Sequence, residues 1–206
     1  VTGRPALELV ADAAADRGAA PGEDDWLTVY PADHAWSPER QLIGALMWLT
    51  AQQAQPILEL VPDTAIWRPV AQWAYELIRT LVTSGRDPNP VVVLDQGRRQ
   101  AWSLAAELEP TPARHHHLAL YLTATYTQVV SPVVAAGDYA RHVLDDAYRR
   151  AFRDNGIRMQ QLGESGADRG ELTDQFTNIR DGLADLWRRC QAAAAPGWWQ
   201  PAHRAP

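Results

Sequence analysis

Four clusters in this 206-residue chain carry side chains of the right type for chemistry. His115-His116-His117 offers three imidazoles, the side chain most often used to hold a metal. Consecutive helical residues point about 100° apart, so three neighbours cannot converge on one ion. No Cys, Asp or Glu stands three or four residues away to complete a ligand set, and the cluster reads as a polar helix start or loop. Asp145 and Asp146 are adjacent carboxylates of the kind used in acid–base work. Each is followed four residues later by an arginine, Arg149 and Arg150, the favourable order for a helical ion pair worth about 0.2–0.5 kcal/mol. A solvated, salt-bridged face is the simpler reading. Gly163, Gly166 and Gly170 fit neither a phosphate-binding loop nor a dinucleotide fingerprint, and Gly163-Glu164-Ser165-Gly166 lacks the spacing of a nucleophile elbow. They predict a turn. Arg149, Arg150 and Arg153 are the fourth cluster; Asp145, Asp146 and Asp154 make it mixed rather than basic, and direct nucleic-acid contact is not expected.

Composition narrows the classes further. All nineteen basic residues are arginine, so any site that needs lysine is absent, including the Gly-Lys-Ser/Thr of a P-loop. The net charge of -6 argues against broad nucleic-acid binding. Cys190 stands alone, which excludes an intrachain disulfide and points to a reducing compartment. Glu8, Asp12 and Asp16 interrupt any leader-like apolar run, and no stretch approaches membrane-spanning length; the expected location is the cytoplasm. No catalytic residue, cofactor or metal is assigned.

The elements behind these clusters read as all-α: alanine is abundant, Val/Ile runs are short, and nine tryptophans with 46% hydrophobic residues support a core. Residues 1–36 form an accessory arm, with one alanine-rich helix over Ala6–Ala15 and a linker over Arg17–Asp25. A helical head follows over 37–137. It opens at Ser37-Pro38-Glu39, an N-cap serine before proline, with Leu42, Ile43, Leu46 and Leu49 on one face. A short helix lies around Pro56–Val61. Ile66-Trp67-Arg68-Pro69 then starts a helix with an apolar stripe of Val70, Trp73, Leu77, Ile78 and Leu81, and Gly85 sits where a left-handed C-cap is wanted. Asn89-Pro90 starts the next, carrying Val91, Leu94 and Trp102 inward; 103–114 is read as an irregular connection. Leu118, Tyr121, Leu122 and Thr125 mark a further helix ending near Ser131-Pro132. A hairpin is placed at 138–192. Its first helix begins at Asp138 and carries Tyr139, Val143, Ala147, Ala151, Met159 and Leu162, and Asp154-Asn155-Gly156 is a point of breakage or kinking. A tail covers 193–206.

Three of these segments go together. Ser37 to Leu46 sets an acidic residue before a Leu-Ile-Gly-Ala-Leu run. Ile66-Trp67-Arg68-Pro69 leads through its helix to the capped helix holding Leu94. Ser131 leads to Asp138-Tyr139-Ala140-Arg141-His142-Val143. In this order they resemble the N-terminal domain of DnaB-type replicative DNA helicases over roughly residues 37–155. The resemblance implies an all-α globular head followed by a long antiparallel helical hairpin. In those helicases the hairpin pairs subunits and the N-terminal domains form a collar that also meets primase. Departures are the Pro112–His117 stretch, where the family has a Gly-Gly turn, and residues 1–36 and Trp198-Trp199, which have no counterpart. The motor domain is missing, as the lysine-free composition requires.

The last helix carries Leu172, Phe176, Ile179, Leu183, Leu186 and Cys190 at spacings of four, three, four, three and four, a heptad-like seam. Burying four such side chains is worth about 6–12 kcal/mol of transfer energy before entropy is subtracted. Trp187 lies beside the stripe and widens it. Phe176, Ile179, Leu183, Leu186 and Trp187 are therefore the candidate protein interface, with intramolecular packing as the competing reading. The expected function is non-catalytic assembly and docking in DNA replication: a homo-oligomer, dimer or higher, meeting a replicative helicase or primase, with no membrane partner. The alternative is a free-standing regulator of a replicative helicase of plasmid or phage type. A small helical enzyme rests only on the histidine cluster and scattered carboxylates. Trp198-Trp199 reads equally as a binding tail and as a tail docked on its own body.

Overall fold

The computed structural model describes residues 36–104 and 112–200, with backbone alone at 101–104 and 112–113. The arm and its Ala6–Ala15 helix, the inward placing of Trp102 and the middle of the 103–114 connection lie outside the described residues. Seven α-helices and one 3-10 turn make up the described chain, with no strand among them.

Helix α1 (Pro38–Leu46) starts as its sequence dictates: Ser37 Oγ accepts from the Arg40 N–H and proline occupies the first position. Leu42, Ile43 and Leu46 are wholly buried. Gly44 permits the close crossing beneath them, because a Cβ there would lie 2.7 Å from the Thr125 carbonyl oxygen and 2.8 Å from Val129 Cβ. Helix α2 (Ala51–Leu60) opens with a complete capping box of Thr50 and Gln53, a full turn earlier than the Pro56–Val61 expectation. Pro56 survives inside it on the exposed face, where Gln52, whose carbonyl loses its i+4 helical donor to the proline, is exposed as well.

A 3-10 turn (Asp63–Ala65) leads to α3 (Pro69–Thr83). Its centre is Tyr75, wholly buried, whose hydroxyl donates to the Val61 carbonyl at 2.8 Å; Trp73 is only half-buried. Gly85 takes φ +73°, with the Gly85 N–H on Val82 O and the Arg86 N–H on Leu81 O, a Schellman end. In α4 (Pro90–Leu104) Asn89 caps the Val92 N–H, but the helical phase differs from the expected one. Val93 is buried, Leu94 half-buried and Val91 exposed, because Gly97 turns the Val93 face onto Leu77 and Leu118.

Helix α5 (Pro112–Gln128) buries Leu118, Leu122 and Thr125 and contains the three histidines within its length. Ser131, in the left-handed region at φ 47°, redirects the chain into α6 (Pro132–Glu164). Ser131-Pro132 thus starts a helix, and Asp154-Asn155-Gly156 neither breaks it nor ends it. At 33 residues α6 is about 50 Å long. A turn with Gly166 at φ +75° and an Asp168 cap on the Glu171 N–H begins α7 (Arg169–Ala194), which returns antiparallel to α6. One core joins all seven helices, running from Leu42 to Ala193, but it takes only the first half of α6 and the last turns of α7. The 137/138 line between head and hairpin falls inside α6.

Candidate functional site

Two features of this architecture bear on function: the joint that fixes the hairpin to the head, and the surface the hairpin presents beyond that joint. The joint centres on Glu39, in the first turn of α1. Its side chain is 8% exposed, and Oε1 accepts from the Trp67 N–H at 3.1 Å. Arg150 Nη1 of α6 lies 3.9 Å from Oε1, and Arg68 Nε lies 4.0 Å from Oε2. Arg150 also donates to the Ala65 carbonyl at 2.7 Å. Both guanidinium groups sit over the Trp67 ring, at 5.4 Å for Arg68 and 5.8 Å for Arg150, within cation–π reach. Burial pushes the Glu39 carboxyl above the usual carboxylate range; the Trp67 N–H and the two arginines oppose that push without cancelling it. Burial likewise lowers Arg150, with Glu39 pulling the other way.

This joint corrects the reading of the Asp145–Arg150 segment. Arg150 turns inward to Glu39 instead of pairing with Asp146 on a solvated face. Asp146 meets Arg149 at 4.0 Å, three residues on, between exposed side chains. Burial, together with the nearby Asp145 carboxylate, holds the Cys190 thiol above its ordinary range. A usable signal existed: Val143, Ala147 and Arg150 continue one buried stripe, so the arginine falls on the inward face. A second anchor lies on α7. Arg189 donates to the Glu59 and Leu60 carbonyls at 3.1 and 2.9 Å, satisfying the C-terminal end of α2 while Asp185 holds its Nε at 2.7 Å. Arg79 does the same from α3, donating to Leu58 O and Val61 O.

Beyond the joint the hairpin stands on its own contacts. The candidate interface residues divide. Ile179 is buried, and Leu183 and Leu186 are half-buried. Phe176 and Trp187 are 57% and 51% exposed, on a face they share with Leu183 by helical spacing. On α6, Phe152 and Met159 are also exposed, with Tyr148 edge-on to Phe152 at 4.9 Å. The sequence reading passed over Phe152, whose place seven residues before Met159 was the available signal.

The remaining clusters do not converge. His115 Nε2 lies 3.4 Å from the Gly97 carbonyl and its ring meets Trp73 edge-on, while His116 is exposed. Among the described residues no three His, Cys, Asp or Glu side chains are placed to hold a metal. Gly163 and Gly166 have open space around them. A groove lined by Gln55, Leu58, Glu59, Arg79, Val82 and Thr83 offers little to a ligand, since the Arg79 donors are already engaged. No single described helix is long and apolar enough to cross a membrane.

Trp198 and Trp199 are half-buried against the core, with the Trp199 indole N–H 3.4 Å from the Val133 carbonyl oxygen. The tail is docked on its own body.

No protein-family model matches the sequence, and no curated protein matches it. Among solved structures the fold is that of the N-terminal domain of DnaB helicase from Mycobacterium tuberculosis, with a TM-score of 0.56 and 21% identity. The alignment covers 74% of this chain and 95% of that one.

Proposed function

We propose that this chain is a non-catalytic assembly and protein-docking domain of DNA replication, working as a replicative-helicase collar does. It self-associates through the hairpin as a dimer or higher oligomer and meets primase or helicase through the assembled surface. It hydrolyses no nucleotide itself, and its setting is cytoplasmic. The observation that carries this reading is the hairpin on a DnaB-type fold, whose outer face leaves Phe176 and Trp187 about half exposed with nothing among the described residues to cover them. Aromatic side chains in that state are the kind that dominate protein interfaces.

The test is mass in solution. Light scattering on the intact chain should return a dimer or higher oligomer, and Phe176→Asp and Trp187→Asp should each lower that mass without altering helicity. A mass unchanged in both variants removes the hairpin face from the interface. Leu183→Asp is a poorer probe, because Leu183 is half-buried and its loss also weakens the monomer.

A second reading has one observation in its favour. The match covers almost all of the DnaB domain but only 74% of this chain, so this chain carries segments that the shared fold does not need. That favours a free-standing partner of a replicative helicase. Pull-down with purified helicase and primase tests it: a stable complex with the helicase supports it, and failure to retain either protein sinks it.

A further inference from the structure

The end of α7 and the start of α6 meet at the open end of the hairpin, and they do not match in length. Helix α6 is seven residues longer than α7, about 10 Å or two turns. Those two turns, around Val133 to Gly137, would be bare on the side that α7 covers elsewhere. The chain covers them with its own tail. After α7 ends at Ala194, Pro196 and Gly197 occupy the second and third positions of a turn. Gly197 has φ +73°, and the Trp198 N–H donates to the Ala195 carbonyl at 3.3 Å, the arrangement of a type II turn with glycine where a positive φ is required. That reversal lays Trp198 and Trp199 back along α6.

The receiving surface is shaped for the indole. At Gly137 an added Cβ would stand 2.6 Å from both Cβ and Cγ of Trp199 and 2.7 Å from its Cδ1, so the ring lies directly on the helix backbone. No other residue type fits there without evicting it. The neighbouring Ala136 and Ala140 are wholly buried and also small. The Val133 carbonyl receives the indole N–H at 3.4 Å. Trp198 packs beside Trp199 with ring centroids 6.3 Å apart.

We propose that Pro196–Trp199 is a latch and that the strip from Val133 to Gly137 is its seat, a built indole-binding site occupied by this chain's own tail. Closed, the latch clamps the end of α7 to the start of α6 and completes the base of the hairpin where the helices fail to pair. Open, it bares two turns of apolar helix next to Val134, which is already 73% exposed. The latch lies at the edge of the core: Trp198 and Trp199 are only partly buried, packed against a cluster whose fully buried members come from the helices.

The test uses the full chain labelled with 5-fluorotryptophan and read by fluorine NMR, with Trp199 assigned as the resonance lost in Trp199→Phe. In the wild type the Trp199 resonance should show little solvent-isotope shift. Gly137→Ala should move it to the solvent-exposed value while the resonances of Trp67, Trp73 and Trp187 stay in place, showing that the fold survives. Hydrogen exchange should then quicken at least ~10-fold at the amides of 137–141 and 190–195, with the distal hairpin unchanged. A Trp199 resonance that is already solvent-exposed in the wild type, or that does not move in Gly137→Ala, overturns the seat. A moved resonance with unchanged exchange at the hairpin base overturns the clamp. If Gly137→Ala disturbs every tryptophan, Gly197→Ala, which strains the turn instead of the seat, is to give the same local opening, and a closed latch in that variant overturns the proposal.

Discussion

The two halves of α6 are one continuous helix under different constraints. From Pro132 to Arg150 it is a core element: Ala136, Gly137, Ala140, Val143, Leu144 and Ala147 are buried, and small side chains alternate with larger ones so that α1 and the tail approach closely. From Ala151 to Glu164 it buries no side chain fully and leaves Phe152 and Met159 about half exposed. The first half is held by α1, the 3-10 turn, the end of α7 and an arginine joint. Among the described residues, the second has α7 alone beside it. Apolar residues there do less for the monomer than their type suggests, and that surplus is what an assembly surface requires.

The sharpest way to break this comparison is to truncate one apolar side chain in each half. Leu144 is wholly buried, so Leu144→Ala should cost about 2–5 kcal/mol in urea unfolding. Gly44→Ala belongs with it, since the added methyl meets backbone at 2.7 Å and α1 must shift away from α5. Phe152→Ala, though it removes more atoms, should cost under about 1 kcal/mol at a concentration where the protein is monomeric. Equal costs for Leu144→Ala and Phe152→Ala would mean that the distal hairpin is as well specified as the head.

The boundary between the halves is Arg150. Arg150→Ala strips Glu39 of its nearer arginine and leaves the Ala65 carbonyl without its donor, which should cost roughly 2–4 kcal/mol, at or below the range for breaking a buried pair. Arg149→Ala, one residue away with its side chain 80% exposed, should change stability by less than about 0.5 kcal/mol. Glu39→Gln is milder and has a sign that pH reveals. Because the folded state holds the Glu39 carboxyl above its ordinary value of 4.5, it binds that proton more tightly than the unfolded chain does. Stability from that proton is fully present below pH 4.5 and is lost as the pH rises through the folded value. The wild type should therefore lose ground to Glu39→Gln as pH climbs from 4.5, and a difference that is flat with pH would show the carboxylate to be fully compensated by Arg68 and Arg150.

What was legible in the sequence was what neighbours in sequence decide. Ser37-Pro38, Asn89-Pro90 and Gly85 act on their own turns, so those boundaries could be placed from composition alone. The seam from Ile179 to Cys190 follows from helical period, as does the hairpin it makes. Three things were not local. Arg150 finds the Ala65 carbonyl 85 positions away, and nothing beside it in sequence announces that partner. The phase of α4 is set by Gly97 meeting Leu77 and Leu118, which moves burial from Val91 to Val93. Asp154-Asn155-Gly156, a poor helical triplet by propensity, stays helical because the chain on both sides is held, through Arg150 to the head and by the Arg158–Gln175 contact to α7 at 2.8 Å.

That triplet supplies the smallest effect and a direct probe of the hairpin's outer face. Gly156 lies mid-helix with nothing within 4 Å of the position its Cβ would take. In the monomer Gly156→Ala should therefore stabilise by about 0.5–1 kcal/mol, the usual gain from replacing an exposed helical glycine. The same substitution has the opposite sign at Gly44, where space is absent. Measured by thermal unfolding at low and at high protein concentration, the gain at Gly156 separates two situations. If it persists undiminished at both, that point of α6 stays in water in the assembled state too. If it shrinks or reverses as protein concentration rises, a second chain is the occupant to test, because no atom of the described residues fills that space, and the distal half of α6 then belongs with Phe176 and Trp187 in the proposed interface.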